Sequence, residues 1–144
     1  LRHPGAYSVM SEFTNGGFKE VIDDEFADET SVNKVLFCSG KVYFDLAEKQ
    51  KKDGRKDIAI IRVEQLYPLP INQLDALYEK YNKATWFWVQ EEPLNMGAAS
   101  FLKMNLHSIN YGVISRQPSA STATGYNKVH VQEQAEIVET AFSI

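Results

Sequence analysis

The segment Asp57-Ile-Ala-Ile-Ile-Arg-Val63 constrains the fold more than any other stretch of the chain. It is β-branched and almost continuously apolar. A strand with one wet face alternates apolar and polar residues, and this one does not. Both of its faces are therefore expected to be buried, as in a parallel sheet covered above and below. Lys34–Cys38 (Lys-Val-Leu-Phe-Cys) and Ala84–Val89 (Ala-Thr-Trp-Phe-Trp-Val) read the same way, and Tyr111–Ser115 is a fourth strand. Gln90-Glu91-Glu92-Pro93 is expected to terminate the third.

Helical patterns fill the gaps. Val42, Tyr43, Leu46 and Ala47 share one helix face, and Asp53-Gly54 ends that helix. After Pro68 and Pro70, Asn72 is placed to cap a helix carrying Leu74, Leu77, Tyr78 and Tyr81. A third helix is expected from Gly97-Ala98 to about His107. A last one, from about Lys128 to Phe142, is expected to bury Val131, Ala135, Val138 and Phe142. Strand and helix alternate four times. Such crossovers place strands parallel, with helices on both faces, in one three-layer α/β/α domain.

The chain has 144 residues, 44% of them hydrophobic, which suits a single core. A net charge of -4 argues against non-specific nucleic-acid binding and against docking on an anionic membrane. No apolar run approaches the roughly 20 residues of a membrane span. The single cysteine, Cys38, excludes an intrachain disulfide and a Cys-rich zinc site. A reducing, cytoplasmic setting follows as the default. Leu1-Arg2-His3-Pro4 carries no signal-peptide apolar region and no initiator Met, as expected of a piece of a longer chain. Residues 1–30 read as an arm or linker and 31–144 as the domain. Within the arm, Asn15-Gly16-Gly17 is a turn signal. Asp23–Glu29, with five acids in seven residues, reads as a solvated loop whose spacing matches no calcium-binding loop.

In open α/β sheets, ligands sit beyond the carboxyl ends of strands. Three segments occupy such places. Cys38-Ser39-Gly40-Lys41 is a strand-to-helix turn whose free N–H groups and lysine could meet an anion, although no complete phosphate-binding glycine pattern is present. Its plainer role is tight-turn packing. Glu91 and Glu92 could pair as acid and base, but adjacent side chains in an extended segment point apart, which favours structural or interdomain hydrogen bonding. The loop Arg116–Gly125 (Arg-Gln-Pro-Ser-Ala-Ser-Thr-Ala-Thr-Gly) could cap the next helix or dock on another domain or subunit. Arg62, a charge inside an apolar strand, needs an acidic neighbour or a ligand. His3, His107 and His130 fall in different elements, so no catalytic triad is supported, and Cys38 reads as an inert buried thiol. No catalytic or metal-binding residue is assigned.

Several stretches taken together resemble one family. They are Leu1–Pro4, Cys38–Leu46 (Cys-Ser-Gly-Lys-Val-Tyr-Phe-Asp-Leu), Ile58–Pro68, Trp88–Ala98, Arg116–Gly125 and Lys128-Val129-His130. In this order they are similar to the thiamine-diphosphate-dependent 2-oxoglutarate dehydrogenase (2-oxoglutarate decarboxylase) component. The resemblance covers nearly the whole chain and is weakest at Asp23–Val32. It implies a transketolase-like C-terminal domain, a three-layer α/β/α fold with a mostly parallel five-stranded sheet and one antiparallel strand. The segment around Phe18–Ile22 is the candidate for the added strand.

The resemblance also implies an enzyme that decarboxylates 2-oxoglutarate on thiamine diphosphate and Mg²⁺ and passes a succinyl group to a lipoyl-bearing succinyltransferase. The family's Gly-Asp-Gly and Asn-Asn motifs are missing here, so no cofactor or metal residue is carried over, and none is expected bound to this chain. The chain alone is expected to be inactive, supporting the preceding domains and a homodimer mate. The alternative role is a regulatory nucleotide or acyl-CoA module, for which Ser39, Gly40, Lys41, Arg62, Glu91, Glu92 and Arg116 are the candidate anion, effector or interdomain contacts.

Overall fold

A computed structural model describes His3 and residues 5–143. Leu1, Arg2 and Pro4, on which part of the resemblance rests, lie outside the described residues. In chain order the elements are α1 (Met10–Thr14), β1 (Val21–Ile22), β2 (Lys34–Cys38), α2 (Val42–Asp53), β3 (Ile58–Val63), α3 (Ile71–Lys80), β4 (Thr85–Pro93), α4 (Ala99–Asn105), β5 (Tyr111–Arg116) and α5 (Asn127–Ser143). They build one five-stranded sheet in the order β1-β3-β2-β4-β5. β2 pairs in parallel with β3 and β4, β4 with β5, and β1 alone runs antiparallel, against β3. The fifth strand comes from the segment that the sequence singled out.

The apolar run in β3 splits between two cores. Ile58 and Ile60 point to the side covered by α2 and α5, where Leu36, Val89 and Ile114 join Val42, Leu46, Ile137, Ala141 and Phe142. Ala59, Ile61 and Val63 point to the side covered by α3 and α4, against Leu74, Trp86, Trp88 and Leu102. On that side Phe37 sits at the centre of an aromatic cluster. Its ring centroid lies 5.7 Å from Trp86, 5.2 Å from Trp88 and 5.1 Å from Tyr111. Such tilted and edge-on contacts contribute beyond simple area burial.

Three local expectations are corrected. α3 begins at Ile71 with Pro70 as its N-cap residue, so Asn72 lies inside the first turn. The Pro70 carbonyl accepts the N–H groups of Gln73 and Leu74, both at 3.1 Å, and leaves no capping role for Asn72. β4 continues through Gln90-Glu91-Glu92 to Pro93, because an irregularity between Val89 and Pro93 lets the strand stay paired to Arg116. In α5, Val131 is 58% exposed and Ala135 is also exposed, while Ile137, Ala141 and Phe142 make the core contact. Only the C-terminal half of that helix lies over apolar sheet residues; its first half faces a polar network.

The acidic segment is also more than a solvated loop. β1 is only two residues long and pairs with Val63 and Arg62, leaving the rest of the outer edge of β3, opposite β2, without a neighbouring strand. Side chains take over there. The Ile60 N–H donates to Asp24 Oδ2 at 2.7 Å, and Gln50 Nε2 donates to the Ile58 carbonyl at 2.7 Å. Gln50 also bonds Asp24 Oδ2 at 2.7 Å, so the two side chains act together as a substitute strand. Asp23 meanwhile binds Lys80 Nζ at 2.8 Å and the Tyr81 hydroxyl at 3.0 Å, which anchors the segment to the end of α3.

The C-terminal carbonyls of α5 are met by two cations. Lys34 Nζ donates to the Ala141 carbonyl at 3.3 Å, and Arg55, forked onto Asp57, donates to the Phe142 carbonyl at 3.3 Å. Positive charge at a helix C-terminus opposes the negative end of its dipole.

Replacing Asp24 by Ala strands the Ile60 N–H and one Gln50 donor. A loss of about 2–3 kcal/mol in unfolding free energy is expected, read from urea denaturation. Substituting the exposed Glu25 by Ala should change stability by less than about 0.5 kcal/mol in the same assay.

Candidate functional site

The carboxyl end of β2 leads into α2 through Ser39-Gly40-Lys41. Gly40 has φ +77, a left-handed conformation that favours glycine. The turn brings Lys41 Nζ to 2.9 Å from Glu91 Oε1 on neighbouring β4 and 3.5 Å from Asp45 Oδ2. Burial opposes the charge on Lys41, but the hydrogen bonds and charges of Glu91 and Asp45 outweigh it and hold the ammonium above its ordinary pKa. The sequence candidates Lys41 and Glu91 are thus brought together, as an ion pair. Glu92 points away and is exposed. Arg62, at the end of β3, is also satisfied locally. It bonds Glu64 Oε1 at 3.0 Å and lies 4.5 Å above the Tyr43 ring.

Gln90 is the best-satisfied side chain at the strand ends, and no local pattern distinguishes it from its neighbours. It is 2% exposed. Its Oε1 accepts from Trp88 Nε1 at 2.8 Å and from the Ala99 N–H at 3.0 Å. Its Nε2 donates towards the carbonyls of Met96 at 2.8 Å, Pro93 at 3.1 Å and Glu92 at 3.3 Å. One amide therefore fixes the irregularity in β4, the following turn and the start of α4. Gly97, with φ +65, permits this closeness, since a Cβ there would lie 3.1 Å from both polar atoms of Gln90. The available signal was Gly97 seven residues after a polar residue inside an apolar strand.

Arg116 closes β5, and only 9% of its side chain is exposed. Its Nη1 reaches Glu133 Oε2 at 3.5 Å and Thr124 Oγ1 at 3.4 Å. Its Nη2 lies 3.0 Å from His130 Nδ1 and 3.3 Å from Gln134 Oε1. Because an arginine N–H can only donate, the imidazole nitrogen facing it must accept. Thr124 donates a short hydrogen bond to Glu133, and Gln134 Nε2 donates to Asp45 Oδ2 at 2.7 Å. The network ties the Ser/Thr-rich loop to α5 and α5 to α2. The three candidate segments are joined in one network: Glu91 pairs with Lys41, Lys41 reaches Asp45, and Gln134 links Asp45 to Arg116 with His130 and Glu133. Arg62 with Glu64 stands apart from it.

The sequence profile described as 2-oxoglutarate dehydrogenase C-terminal matches residues 7–142. The chain belongs to this family. It is 43% identical to the 2-oxoglutarate dehydrogenase E1 component of Haemophilus influenzae over 99% of this chain and 16% of that protein. It is 42% identical to an oxoglutarate dehydrogenase of Buchnera aphidicola over 100% of this chain and 16% of that protein. A multifunctional 2-oxoglutarate metabolism enzyme of Mycolicibacterium vanbaalenii is 38% identical over 99% of this chain and 12% of its own length. The chain thus spans about a sixth or less of the curated relatives it matches.

In this 2-oxoglutarate dehydrogenase C-terminal domain, Cys38 is fully buried at the end of β2. Burial pushes its thiol up from the usual 9.0 to about 12, which makes it a poor nucleophile at neutral pH. Burial likewise raises the Tyr81 phenol to about 12. No helix among the described residues is long and apolar enough to cross a membrane.

Two outcomes follow for this domain. Gln90→Leu should destabilise it by roughly 3 kcal/mol, because buried donors and carbonyls lose their partners; urea denaturation reads the change, and Gln73→Leu on the surface serves as the control. The second concerns alkaline pH. Cys38 ionises above pH 9.0 in the unfolded chain but only near pH 12 in the folded one. The unfolded state therefore releases protons first, and stability held below pH 9 falls as pH rises towards 12. Urea midpoints measured across that range should decline, and Cys38→Ala should flatten the decline.

Proposed function

We propose that this chain is the C-terminal domain of a 2-oxoglutarate dehydrogenase decarboxylase (E1) component, and that its role is to hold the catalytic domains and a homodimer mate in place. The observation that carries this reading is the internal pairing of every candidate strand-end cation. Lys41 pairs with Glu91, Arg62 with Glu64 and Arg116 with Glu133. Charges already matched in this way stabilise turns; they do not leave a binding centre waiting for substrate. By contrast, Tyr7, Val9, Met10, Phe13 and Phe18 on the arm stand well exposed, as contacts for neighbouring domains would. Residues 1–30 are accordingly assigned as the arm from a preceding domain and 31–144 as the domain body, with β1 and Asp24 fastening the one to the other.

On this reading the whole enzyme carries out oxidative decarboxylation of 2-oxoglutarate in the tricarboxylic acid cycle, in the cytoplasm, and delivers a succinyl group to a lipoyl-bearing succinyltransferase. Thiamine diphosphate with Mg²⁺ supplies the carbanion chemistry. Among the described residues, no group of three or more His, Cys, Asp and Glu side chains is placed to hold a metal ion. The described residues therefore do not fit a Mg²⁺ site. The same pairing of Lys41, Arg62 and Arg116 weighs against the alternative role of a nucleotide or acyl-CoA module.

The purified 144-residue chain, given 2-oxoglutarate, thiamine diphosphate and Mg²⁺, is expected to release no carbon dioxide above the protein-free rate. Release that scales with chain concentration would overturn the supporting role.

A further inference from the structure

The two edges of the sheet are treated differently. At one, β1 is two residues long and Asp24 and Gln50 close the ladder beyond it. At the other, β5 is six residues long and, among the described residues, has β4 as its only partner strand. Its sequence, Tyr-Gly-Val-Ile-Ser-Arg, carries no proline and no charge before its last residue. Edges of this kind pair readily with further strands, and proteins usually blunt them with lysine, proline or a covering segment.

A cavity of about 840 Å³ lies against this edge. Ile114 and Arg116 turn towards α5, whereas Tyr111 and Val113 turn towards α3 and α4. Yet Gly112 to Arg116, without a gap, all line this one cavity. Consecutive residues of a strand share a wall only along the backbone edge, because their side chains alternate. The edge is therefore the floor of the groove. The Ser/Thr-rich loop forms one side, and Glu133, Glu136 and Thr140 of α5 form the other. Beyond the ladder with β4, the backbone of Gly112 to Ser115 makes no further backbone hydrogen bond among the described residues. Of the two acids on the α5 wall, Glu133 is neutralised by Arg116, and among the described residues Glu136 is bonded only by the neutral Gln132.

We propose that this groove accepts an extended polypeptide segment of a partner protein as a sixth strand, with a basic side chain of that segment opposite Glu136. The unpaired row of main-chain donors and acceptors on β5 supplies the affinity, as in other cases of strand addition. The flanking loop and helix recess the edge. That geometry suits one slender strand better than the edge of a second copy of this domain.

The test uses the 144-residue chain, immobilised and panned against displayed random peptides of about ten residues. Selected peptides should alternate β-branched residues and contain Lys or Arg. Amide hydrogen exchange should slow at alternate positions of Gly112 to Ser115 when the tightest synthetic peptide is bound. N-methylation of the peptide residues facing β5 should abolish binding, and methylation of the intervening ones should not. Glu136→Lys, at an exposed position, should weaken that peptide by up to about fivefold without changing the fold. Failure to select any peptide would overturn the proposal, as would protection that maps away from β5 or binding insensitive to the methylation pattern. So would slow exchange at β5 without peptide, accompanied by a dimer in sedimentation, because the edge would then belong to a second copy.

Discussion

A backbone buried on both faces must find all of its hydrogen-bond partners inside the protein. β2 meets this constraint most fully, since all five of its residues are buried and it is paired on both sides, to β3 and β4. Its demands place the rest of the molecule. Parallel neighbours require crossover helices, and those helices supply the two apolar layers around the sheet. Phe37 gathers the aromatic cluster on one side, while Leu36 and Cys38 meet α2 and α5 on the other.

Towards its margins the sheet satisfies the same constraint by other means. Where β1 is too short, Asp24 provides the missing acceptor and Gln50 the missing donor. Where β4 departs from regular pairing, the Gln90 amide collects the stray polar groups. Where β5 ends, Arg116 joins the loop and α5. Polar side chains thus stand in for strands at three places. Only the outer edge of β5 has neither a strand nor a side-chain substitute along its middle.

The same constraint governs the charges at the strand ends of this domain. The cations that could meet an anion are each held by a carboxylate of the same chain. A turn stabilised in this way can present a rigid surface to a neighbouring domain. Cys38, beneath these turns, is shielded from solvent and held neutral.

The sequence by itself determined the three layers, the parallel strands and the division of β3 between two cores. Those features follow from local periodicity, which is written in consecutive residues. It also marked Phe18–Ile22 as the added strand, through resemblance rather than pattern. What it could not determine were contacts between residues far apart in the chain. Asp24 looked like one acid among five, yet it bonds Ile60, 36 positions away. Val131 and Ala135 fit a helical stripe, but α5 meets the sheet only through its second half, and periodicity does not say where a helix runs off its support. Gln90-Glu91-Glu92-Pro93 looked like the end of a strand, because nothing local revealed that Gln90 would turn inward and carry pairing on to Pro93. The tertiary structure decided these points, since a buried polar group is placed by whichever partner can satisfy it, however distant in sequence.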